Sequence, residues 1–368
     1  MPDLNLNHVP PPPSRVDFPI GVVGSGFVVR DVQLVAYARA GYRVAAIASN
    51  DPPQAAEVAA VRNIPRVYAT VGELLSDPSI QIVDVAVPPH VQPAIVRAAV
   101  LQRDHIRGLL LQKPLATSYA DAVEIARLCA DAGMVASVNQ NMRYDQSIRA
   151  LKTLLDRGDL GEPVLATIEM RAVPHWQKWL VEYGRLTLLN MSIHHLDCFR
   201  YLFGTPESVY ASVRTDPRTN FPHSDGICLY ILEYENGMRA SAWDDVWAGP
   251  EPACSWPDAY IKWRVEGTEG VAQGTVGWPA YPNACASTIK FSTKTQPGCW
   301  FRPRWKEVWF PDAFAGTMGE LLEAVATGGQ PPTSVADNLD TMALLEACYR
   351  SIQLHRPVAI AEVKGEIR

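Results

Sequence analysis

Short apolar runs alternate with helix-like stretches through the first part of the chain. The apolar runs cover residues 20–23, 44–48, 80–87, 109–111 and 135–138, and the helix-like stretches between them include 32–40, 54–61, 91–101 and 119–132. Short apolar runs are typical of strands that are buried on both faces. Parallel strands joined through helices by right-handed crossovers form a doubly wound sheet. The pattern therefore predicts an α/β domain with such a sheet over residues 19–143.

Strand patterns predominate after Arg143. They cover residues 164–170, 208–213, 228–234, 238–243, 261–265, 288–291 and 307–310, and helical patterns cover 145–155, 186–203, about 315–326 and 335–355. Asn236-Gly237 lies between two of these strands, and both residue types tolerate the positive φ of a tight hairpin turn. The strand at 228–234 is apolar on both faces, so we expect helices to cover one face and another subunit the other. A second, strand-rich domain is predicted over residues 144–368.

The composition is that of an ordinary globular protein, with 48% hydrophobic and 20% charged residues in 368. The net charge is −6 and no basic patch is present, so we expect no nucleic-acid partner. No apolar run approaches the roughly 20 residues that span a bilayer, so we expect no membrane partner. Residues 1–18 form a proline-rich N-terminal arm, which is either a frayed tail or an arm that lies on a neighbouring subunit.

The cysteine and histidine spacing bears on redox setting and metals. Seven cysteines occur at irregular spacing without a CxxC pair, which favours a reducing, cytoplasmic setting over a disulfide framework. Cys129, Cys198 and Cys348 lie in apolar helical stretches and are predicted to be core residues. His194 and His195 are adjacent on a predicted helix and point in different directions, so we expect no metal site.

A glycine-rich turn, GSGFVV at residues 24–29, follows the first predicted strand and leads into a helix. Gly24 permits the tight turn, Gly26 lets a ligand approach the backbone, and the N–H groups of the helix N-terminus bind phosphate. Val29 occupies the third glycine position, where a small residue usually allows close packing of helix and strand. The turn predicts a dinucleotide site. Its predicted contacts are Gly24, Gly26, Phe27 and Val28.

The end of the second strand should meet the ribose of that dinucleotide. An Asp or Glu at this position usually binds the 2′-hydroxyl of NAD. The chain has Ser49-Asn50-Asp51, in which Asp51 fits better as a turn residue before Pro52. No arginine follows to bind a 2′-phosphate. We therefore predict Ser49 and Asn50 as ribose contacts and favour NAD over NADP as cofactor.

Several segments together resemble the glucose–fructose oxidoreductase/inositol dehydrogenase (Gfo/Idh/MocA) family. LLLQKPLATS at 109–118 is similar to the family's Glu-Lys-Pro signature, and VPPH at 87–90, NMRY at 141–144, LNMSIHHLD at 189–197 and ACYRS at 347–351 occur in the family's order. The resemblance implies an NAD(P)-binding Rossmann domain followed by an α+β domain with a large open, mostly antiparallel sheet. It also implies a homodimer or homotetramer formed through that sheet, and in some members a proline-rich arm embraces a partner subunit.

The resemblance assigns catalytic roles to three residues. Lys113 would lie between nicotinamide and substrate and donate a hydrogen bond to the reacting hydroxyl. His194 would be the general acid/base that moves the hydroxyl proton. Asn190, four residues earlier on the same helix face, falls where the family has the aspartate that supports this histidine. Asparagine can orient an imidazole but supplies no negative charge.

Other positions also depart from the family pattern. Gln112 replaces the glutamate before the lysine, Ser192 replaces a glycine of the histidine motif, and Gln92 replaces a frequent histidine after the Pro-Pro turn. The lower negative charge suits an anionic substrate or a reaction without net oxidation. The remaining predicted cofactor contacts are Pro88, His90, Gln112 and Lys113. The predicted substrate contacts are Lys113, Arg143, Trp176, His194, His195 and Asp197.

Three functions are compatible with these residues. The first is an NAD(P)-dependent oxidoreductase that acts on a secondary hydroxyl of a sugar, polyol or sugar derivative. The second is an NAD-dependent glycosidase or lyase, which oxidises a sugar hydroxyl transiently and reduces it again after elimination. The third is a non-catalytic regulator that binds a dinucleotide. The fold alone does not distinguish them.

Overall fold

The computed structural model describes residues 5–172, 178–247, 249, 259–277 and 285–365 of the chain. The fold divides into two compact units. The first, here called the Rossmann unit, consists of Pro10–Asn141 and Pro311–Met342. The second, here called the sheet unit, consists of Met1–Val9, Met142–Phe310 and Ala343–Arg368. The segment 315–342, which the sequence pattern assigns to the second domain, clusters with the Rossmann unit.

The Rossmann unit is built on one parallel sheet. Its strands are β1 (Ile20–Val23), β2 (Val44–Ala48), β3 (Val67–Tyr68), β4 (Ile82–Val85), β5 (Gly108–Leu111) and β6 (Val135–Val138), and its helices include α1 (Leu34–Ala40), α2 (Pro52–Arg62), α3 (Val71–Ser76), α4 (Gln92–Val100) and α5 (Tyr119–Asp131). The strand order is β3-β2-β1-β4-β5-β6. β1 pairs in parallel with both β2 and β4, so the order reverses beside β1. The predicted doubly wound sheet is confirmed, and a ligand crevice is expected at the carboxyl ends of β1 and β4.

Capping side chains determine where several of these helices begin. Asp51 accepts a hydrogen bond from the backbone N–H of Gln54 at the start of α2, and Ser118 caps α5 in the same way. Thr70 and Glu73 form a reciprocal capping box at α3. The apolar pattern predicts neither α3 nor β3, because elements of six and two residues are too short to show a period.

The sheet unit is built on an eight-stranded mixed sheet. Its strands are β7 (Pro163–Arg171), β8 (Ser208–Arg214), β9 (Ile227–Glu233), β10 (Arg239–Asp245), β11 (Tyr260–Gly267), β12 (Gly270–Val276), β13 (Thr288–Thr293) and β14 (Val358–Ala359), and helices α6 (Gln146–Asp156) and α7 (Ile193–Phe203) belong to the same unit. The strand order is β13-β12-β11-β7-β10-β9-β8-β14. β7 and β10 are parallel and the other neighbours are antiparallel. The mostly antiparallel sheet is thus confirmed.

Strand β9 shows how this sheet is covered. Cys228, Tyr230 and Leu232 are buried, whereas Leu229 and Ile231 are 50% and 47% exposed. Among the described residues, therefore, one face of the strand is buried and the other is exposed. The predicted Asn236-Gly237 hairpin connects β9 to β10, and the left-handed conformation falls on the glycine, with φ 87°.

Two predicted elements differ from the structure. No strand forms at 307–310: residues 307 and 308 have no regular secondary structure, and Trp309–Ala313 is a π-helical segment that is broken at Phe310 (φ −100°, ψ 112°). Pro311 lacks the N–H that strand pairing needs. The single helix predicted at 186–203 consists of a π-helical segment, Leu188–Ser192, followed by α7. Strand β12 is not predicted because its sequence, GVAQGTV, has weak strand propensity, and its pairing with β11 and β13 stabilises it.

The described part of the N-terminal arm within the sheet unit contacts its own chain. Leu6 is 1% exposed, and its carbonyl oxygen accepts a hydrogen bond from Oγ1 of Thr153 on α6 (2.8 Å). The ring of His8 stacks on that of Trp305, with centroids 5.1 Å apart. The interpretation as a frayed tail is therefore wrong for residues 5–9, because a buried side chain anchors them.

The C-terminal part of the chain is helical. Its helices are α8 (Phe314–Thr327), α9 (Val335–Leu354) and α10 (Ile360–Gly365). α8 packs on β5 and β6 of the Rossmann sheet. In the sheet unit, Oγ of Ser351 on α9 accepts a hydrogen bond from the N–H of Ala211 on β8 (3.0 Å). None of the helices within the described residues is both long and apolar enough to cross a membrane.

Candidate active site

The turn after β1 lies at the carboxyl edge of the parallel sheet. Gly24 has φ 117°, and a Cβ atom at this position would lie 2.3 Å from the carbonyl oxygen of Ala86. The backbone itself therefore requires a glycine here. Gly26 is exposed, and a Cβ atom there would meet no described atom within 4 Å. Open space beside the second glycine is what the close approach of a pyrophosphate needs.

The helix after this turn begins with an unusual segment. Val28–Gln33 is π-helical and continues into α1. Val29, at the third glycine position, is 1% exposed, so its larger side chain packs into the core at the wider π-helical turn. Phe27 and Val28 are partly exposed at the start of the segment. This is the placement that the sequence predicts for two residues that border a bound phosphate.

The end of β2 supplies the predicted ribose contacts. Ser49 is buried, and its Oγ lies 2.9 Å from Oγ of Ser25 and accepts a hydrogen bond from the N–H of Asp51 (3.2 Å). Asn50 is exposed. Asp51 is the N-cap of α2, which confirms its interpretation as a turn residue. Asn50 is therefore the more accessible of the two predicted ribose contacts.

Lys113 follows β5 at the same edge, in a loop held by a buried glutamine. Nε2 of Gln92 lies 3.0 Å from the carbonyl oxygens of both Gln112 and Pro114, and its Oε1 accepts a hydrogen bond from the N–H of Gln112 (2.7 Å). Burial lowers the pKa of Lys113 to about 7, because an ammonium group loses hydration there. A lysine with this pKa can both donate and accept a proton near neutral pH.

Two glutamines at this edge carry buried polar atoms that have no hydrogen-bond partner among the described residues. These atoms are Nε2 of Gln112 and both Oε1 and Nε2 of Gln140, which follows β6. Asn139 orients the first, because its Nδ2 lies 3.5 Å from Oε1 of Gln112 and its Oδ1 accepts a hydrogen bond from Thr317 (2.9 Å). A buried amide without a partner costs about 1–3 kcal/mol. Such atoms fit a polar ligand that completes their hydrogen bonds.

The remaining predicted cofactor contacts follow β4. Pro88 is partly exposed, and its carbonyl oxygen accepts a hydrogen bond from the N–H of Val91 (3.0 Å). His90 is exposed in the same turn. All the predicted cofactor contacts thus lie beyond the carboxyl ends of β1, β2, β4 and β5, where doubly wound sheets bind nucleotides.

His194 and Asn190 belong to the sheet unit, where the π-helical segment passes into α7. Both are buried, at 5% and 1% exposure. The ring of His194 packs edge-on against that of Trp309, with centroids 6.1 Å apart. Trp309 lies in the segment that the sequence predicts as a strand, so this contact could not be anticipated from the pattern.

The predicted substrate contacts in the sheet unit have protein partners. Nε and Nη2 of Arg143 donate to the two carboxylate oxygens of Asp197, at 2.6 and 2.7 Å. Both residues are at most 5% exposed. Nδ1 of His195, which is fully buried, lies 3.0 Å from Oδ1 of Asp244. Each of these three residues therefore has a partner within the protein. Trp176 lies outside the described residues.

The structure also identifies residues that the sequence analysis does not single out. Asn139 and Gln140 could have been found, because they directly follow an apolar strand at the edge where the other contacts lie. Asp244 gives no such signal, because it lies within a strand and its partners are about 50 positions earlier in the chain. Only the tertiary fold brings them together.

This arrangement satisfies the requirements for a dinucleotide in the Rossmann unit. The glycine turn offers open backbone at a helix N-terminus, and the amide atoms of Gln112 and Gln140 that have no partner among the described residues lie at the carboxyl edge on the other side of the switch point. Lys113 adds an amine and the sheet unit supplies an imidazole, so the chain contains the groups for proton transfer at a hydroxyl or carbonyl.

Comparison with known proteins identifies the family of both parts of the chain. The model of the oxidoreductase family with an NAD-binding Rossmann fold matches residues 18–140, and that of the GFO/IDH/MocA C-terminal domain matches residues 148–273. The chain is 28% identical over 327 residues to D-apiose dehydrogenase of Rhizobium rhizogenes, covering 87% of this chain and 91% of that protein.

Two further similarities extend over nearly the whole chain. Inositol 2-dehydrogenase 1 of Mycolicibacterium vanbaalenii is 26% identical over 361 residues, covering 94% of this chain and 95% of that protein. An oxidoreductase from Agrobacterium radiobacter, solved in complex with NAD+, L-tartaric acid and magnesium, has the same fold, with a TM-score of 0.80 at 24% identity and coverage of 94% and 99%. The chain belongs to the Gfo/Idh/MocA family of oxidoreductases, with an NAD-binding Rossmann fold in its N-terminal part.

Proposed function

We propose that this protein is an NAD(P)-dependent dehydrogenase that oxidises a secondary hydroxyl of a sugar, a polyol or a sugar derivative, or reduces the corresponding ketone. The observation that carries the proposal is Lys113, an amine with a pKa of about 7 that Gln92 holds at the carboxyl edge of β5. The names of the relatives, an apiose dehydrogenase and an inositol dehydrogenase, support a polyhydroxylated substrate.

Two side chains move the proton in this proposal. Bound NAD+ supplies the acceptor for the hydride that leaves the carbinol carbon. Lys113 donates a hydrogen bond to the reacting hydroxyl, and His194 takes the hydroxyl proton as the carbonyl forms. Packing against Trp309 fixes the plane of the His194 ring. Asn190, one helical turn earlier, supports the imidazole without adding charge.

The cofactor is assigned to the carboxyl edge of the Rossmann sheet. The backbone at Gly24 and Gly26 receives the pyrophosphate, and Asn50 with Ser49 receives the adenosine ribose. NAD is favoured over NADP because no arginine directly follows Ser49 in the sequence. On the nicotinamide side, Gln112 and Gln140 offer the amide atoms that have no other partner within the described chain.

A substrate panel tests the proposal. Sugars, polyols and their acid derivatives are incubated with NAD+ or NADP+, and absorbance at 340 nm is followed together with nitrophenol release from aryl glycosides. Net reduction of the cofactor is expected. Release of nitrophenol without net reduction would instead identify the glycosidase or lyase, and tight dinucleotide binding with neither reaction would identify a regulator.

Two variants test the assigned residues. Lys113→Met and His194→Asn should lower kcat by about 10²–10⁴-fold, the usual contribution of a proton-transfer group, while the dissociation constant of NADH stays within about threefold. Lys306→Met and His355→Asn are matched controls, because both side chains are exposed. Turnover near the wild-type value in either test variant would refute the assignment.

We further propose that two or four chains associate through the uncovered face of the eight-stranded sheet. Tyr210 on β8 and Leu229 and Ile231 on the neighbouring β9 are 41–50% exposed on this face, and Leu165 on β7 is 39% exposed on the same face. Exposed apolar side chains in one patch favour association. Light scattering should show a homodimer or homotetramer for the wild type and a smaller species for Leu229→Glu/Ile231→Glu. A monomeric wild type would contradict the proposal.

The cytoplasmic setting remains a prediction from the cysteine pattern. Its support is that Cys129, Cys198 and Cys348 are buried, as predicted for core residues. Burial raises the pKa of each of these thiols, which keeps them protonated and unreactive.

A further inference from the structure

A fully buried carboxylate on β10 joins two residues that flank His194 in the sequence. Oδ2 of Asp244 accepts a hydrogen bond from Oγ of Ser192, and Oδ1 and Oδ2 lie 3.0 and 3.3 Å from Nδ1 of His195. Ser192, His195 and Asp244 are all 0% exposed. The carboxylate therefore contacts the chain two positions before and one position after His194.

Among the described residues, the surroundings of Asp244 offer it no basic partner other than His195. Cys228 and Tyr230 on β9 lie close by, and burial raises the pKa of each, so both are neutral. Among the described residues, His195 is the one basic side chain within 4 Å of Asp244. A buried carboxylate requires donors, so Nδ1 of His195 carries a proton directed at Asp244.

These contacts lie where the helix changes its geometry. The segment Leu188–Ser192 is π-helical, and regular α-helix begins at Ile193, immediately before His194. The side chain of Ser192 makes no capping hydrogen bond to the helix; it bonds to β10 instead. Without these two anchors, the junction between π- and α-helix could shift by one residue and rotate the His194 side chain away from its place against Trp309.

We propose that Asp244 is a positioning residue for His194, acting through Ser192 and His195. The carboxylate of Asp244, on β10, bonds to Ser192 and His195 and so fixes the backbone on both sides of His194. Asn190, on the helix itself, contributes no charge. This inference rests on the proposed function, because it takes His194 as the base. In this proposal, His195 is the hydrogen-bond partner of Asp244 and does not contact the substrate.

Kinetics provide the first test. Asp244→Ala should lower kcat by about 10²-fold, the usual loss when a reacting group is displaced by an ångström, with KM and the NADH dissociation constant changed less than about threefold. Asp244→Asn, which can still accept from Ser192, should retain more activity than Asp244→Ala. Asp245→Asn is the matched control, because this neighbouring carboxylate pairs with Arg218 (2.6 Å) and should leave kcat within about twofold.

Nuclear magnetic resonance separates this inference from the proposed function. With ¹⁵N-labelled histidine, ring signals are assigned by their loss in His194→Asn and His195→Asn. Asp244→Asn and Ser192→Ala should shift the ring signals of both His195 and His194, whereas Asp245→Asn should leave them in place. This readout needs no substrate, so it decides the inference even where no dehydrogenase activity is found. Unchanged His194 signals in Asp244→Asn and Ser192→Ala, or unchanged kcat in Asp244→Ala, would overturn it.

Discussion

The carboxyl edge of the Rossmann sheet and the surroundings of His194 are organised in opposite ways. At the Rossmann edge, glycines shape the turn after β1, Asp51 caps the next helix, and Gln92 bonds to a loop about 20 residues further on. Around His194, the buried side chains of Ser192 and Arg143 pair with partners about 50 positions away, Ser192 with Asp244 and Arg143 with Asp197.

This difference explains where polar atoms remain available for a ligand. At the Rossmann edge, Gln112 and Gln140 keep buried amide atoms without partners within the described chain. In the sheet unit, Arg143 and Asp197, which looked like ligand contacts, satisfy one another. A buried charge must be paired, so a fold that buries it tends to supply the partner itself. Uncharged amides can remain unsatisfied at lower cost until a ligand binds.

The pair Arg143–Asp197 gives the largest expected effect on stability. Removing one partner leaves an uncompensated buried charge, so Arg143→Met should lower the free energy of unfolding by about 3–5 kcal/mol. A double-mutant cycle with Asp197→Asn, measured by urea unfolding, should give a coupling energy of at least about 2 kcal/mol. A coupling below about 0.5 kcal/mol would show that the two residues are not paired in solution and would reopen their role as ligand contacts.

The two glycines of the phosphate turn should respond differently to alanine. At Gly24 the positive φ and the carbonyl oxygen 2.3 Å from the added Cβ should lower the free energy of unfolding by about 2–4 kcal/mol. At Gly26 the added methyl has open space, so stability should change by less than about 0.5 kcal/mol.

The second difference between these glycines concerns dinucleotide affinity rather than stability. Gly26→Ala should weaken NADH binding by about tenfold or more, because its methyl group occupies the approach of the pyrophosphate. Calorimetric titration and thermal unfolding measure the two effects on the same samples. Wild-type affinity in Gly26→Ala would place the pyrophosphate elsewhere.

Asp84 is a buried carboxylate that has no cationic partner among the described residues. It therefore tests the rule that a buried charge must be paired. It lies in β4, fully buried, and accepts hydrogen bonds from Tyr37 (2.8 Å) and Gln33 (2.9 Å). Burial raises its pKa from 3.8 to about 7. The folded state therefore holds this proton more tightly than the unfolded state, and the stability contributed by the protonated form is lost as pH rises from about 4 to about 7.

The variant Asp84→Asn should remove this pH dependence. Relative to the wild type it should gain about 4 kcal/mol in the free energy of unfolding at pH 8, and the advantage should disappear near pH 4. Oε1 of Gln33, which has no partner among the described residues, can accept from the new amide. Chemical denaturation across this pH range measures the difference, and a difference that does not vary with pH would contradict the assignment.

The features that could be predicted from the sequence are those built from residues close together in the chain, as at the Rossmann edge. The alternation of apolar runs and helical stretches predicts the Rossmann sheet, because its five predicted strands are almost entirely buried and each crossover is local. The glycine turn and Lys113 could be placed for the same reason, since each directly follows a strand whose carboxyl end must lie at the ligand edge. The strand predicted at 307–310 is wrong, because an apolar run before Pro311 does not reveal whether a neighbouring strand is available for pairing.

The amino-acid sequence by itself determined the doubly wound sheet, the phosphate turn and the position of Lys113, because these depend on periodicity and on residues that are close together in the chain. The tertiary structure alone decided which polar residues are partners of one another. Whether Asp197, His195 or Gln140 is open to a ligand depends on side chains brought from distant strands and helices, and one chain's pattern of polar and apolar positions contains no record of that pairing.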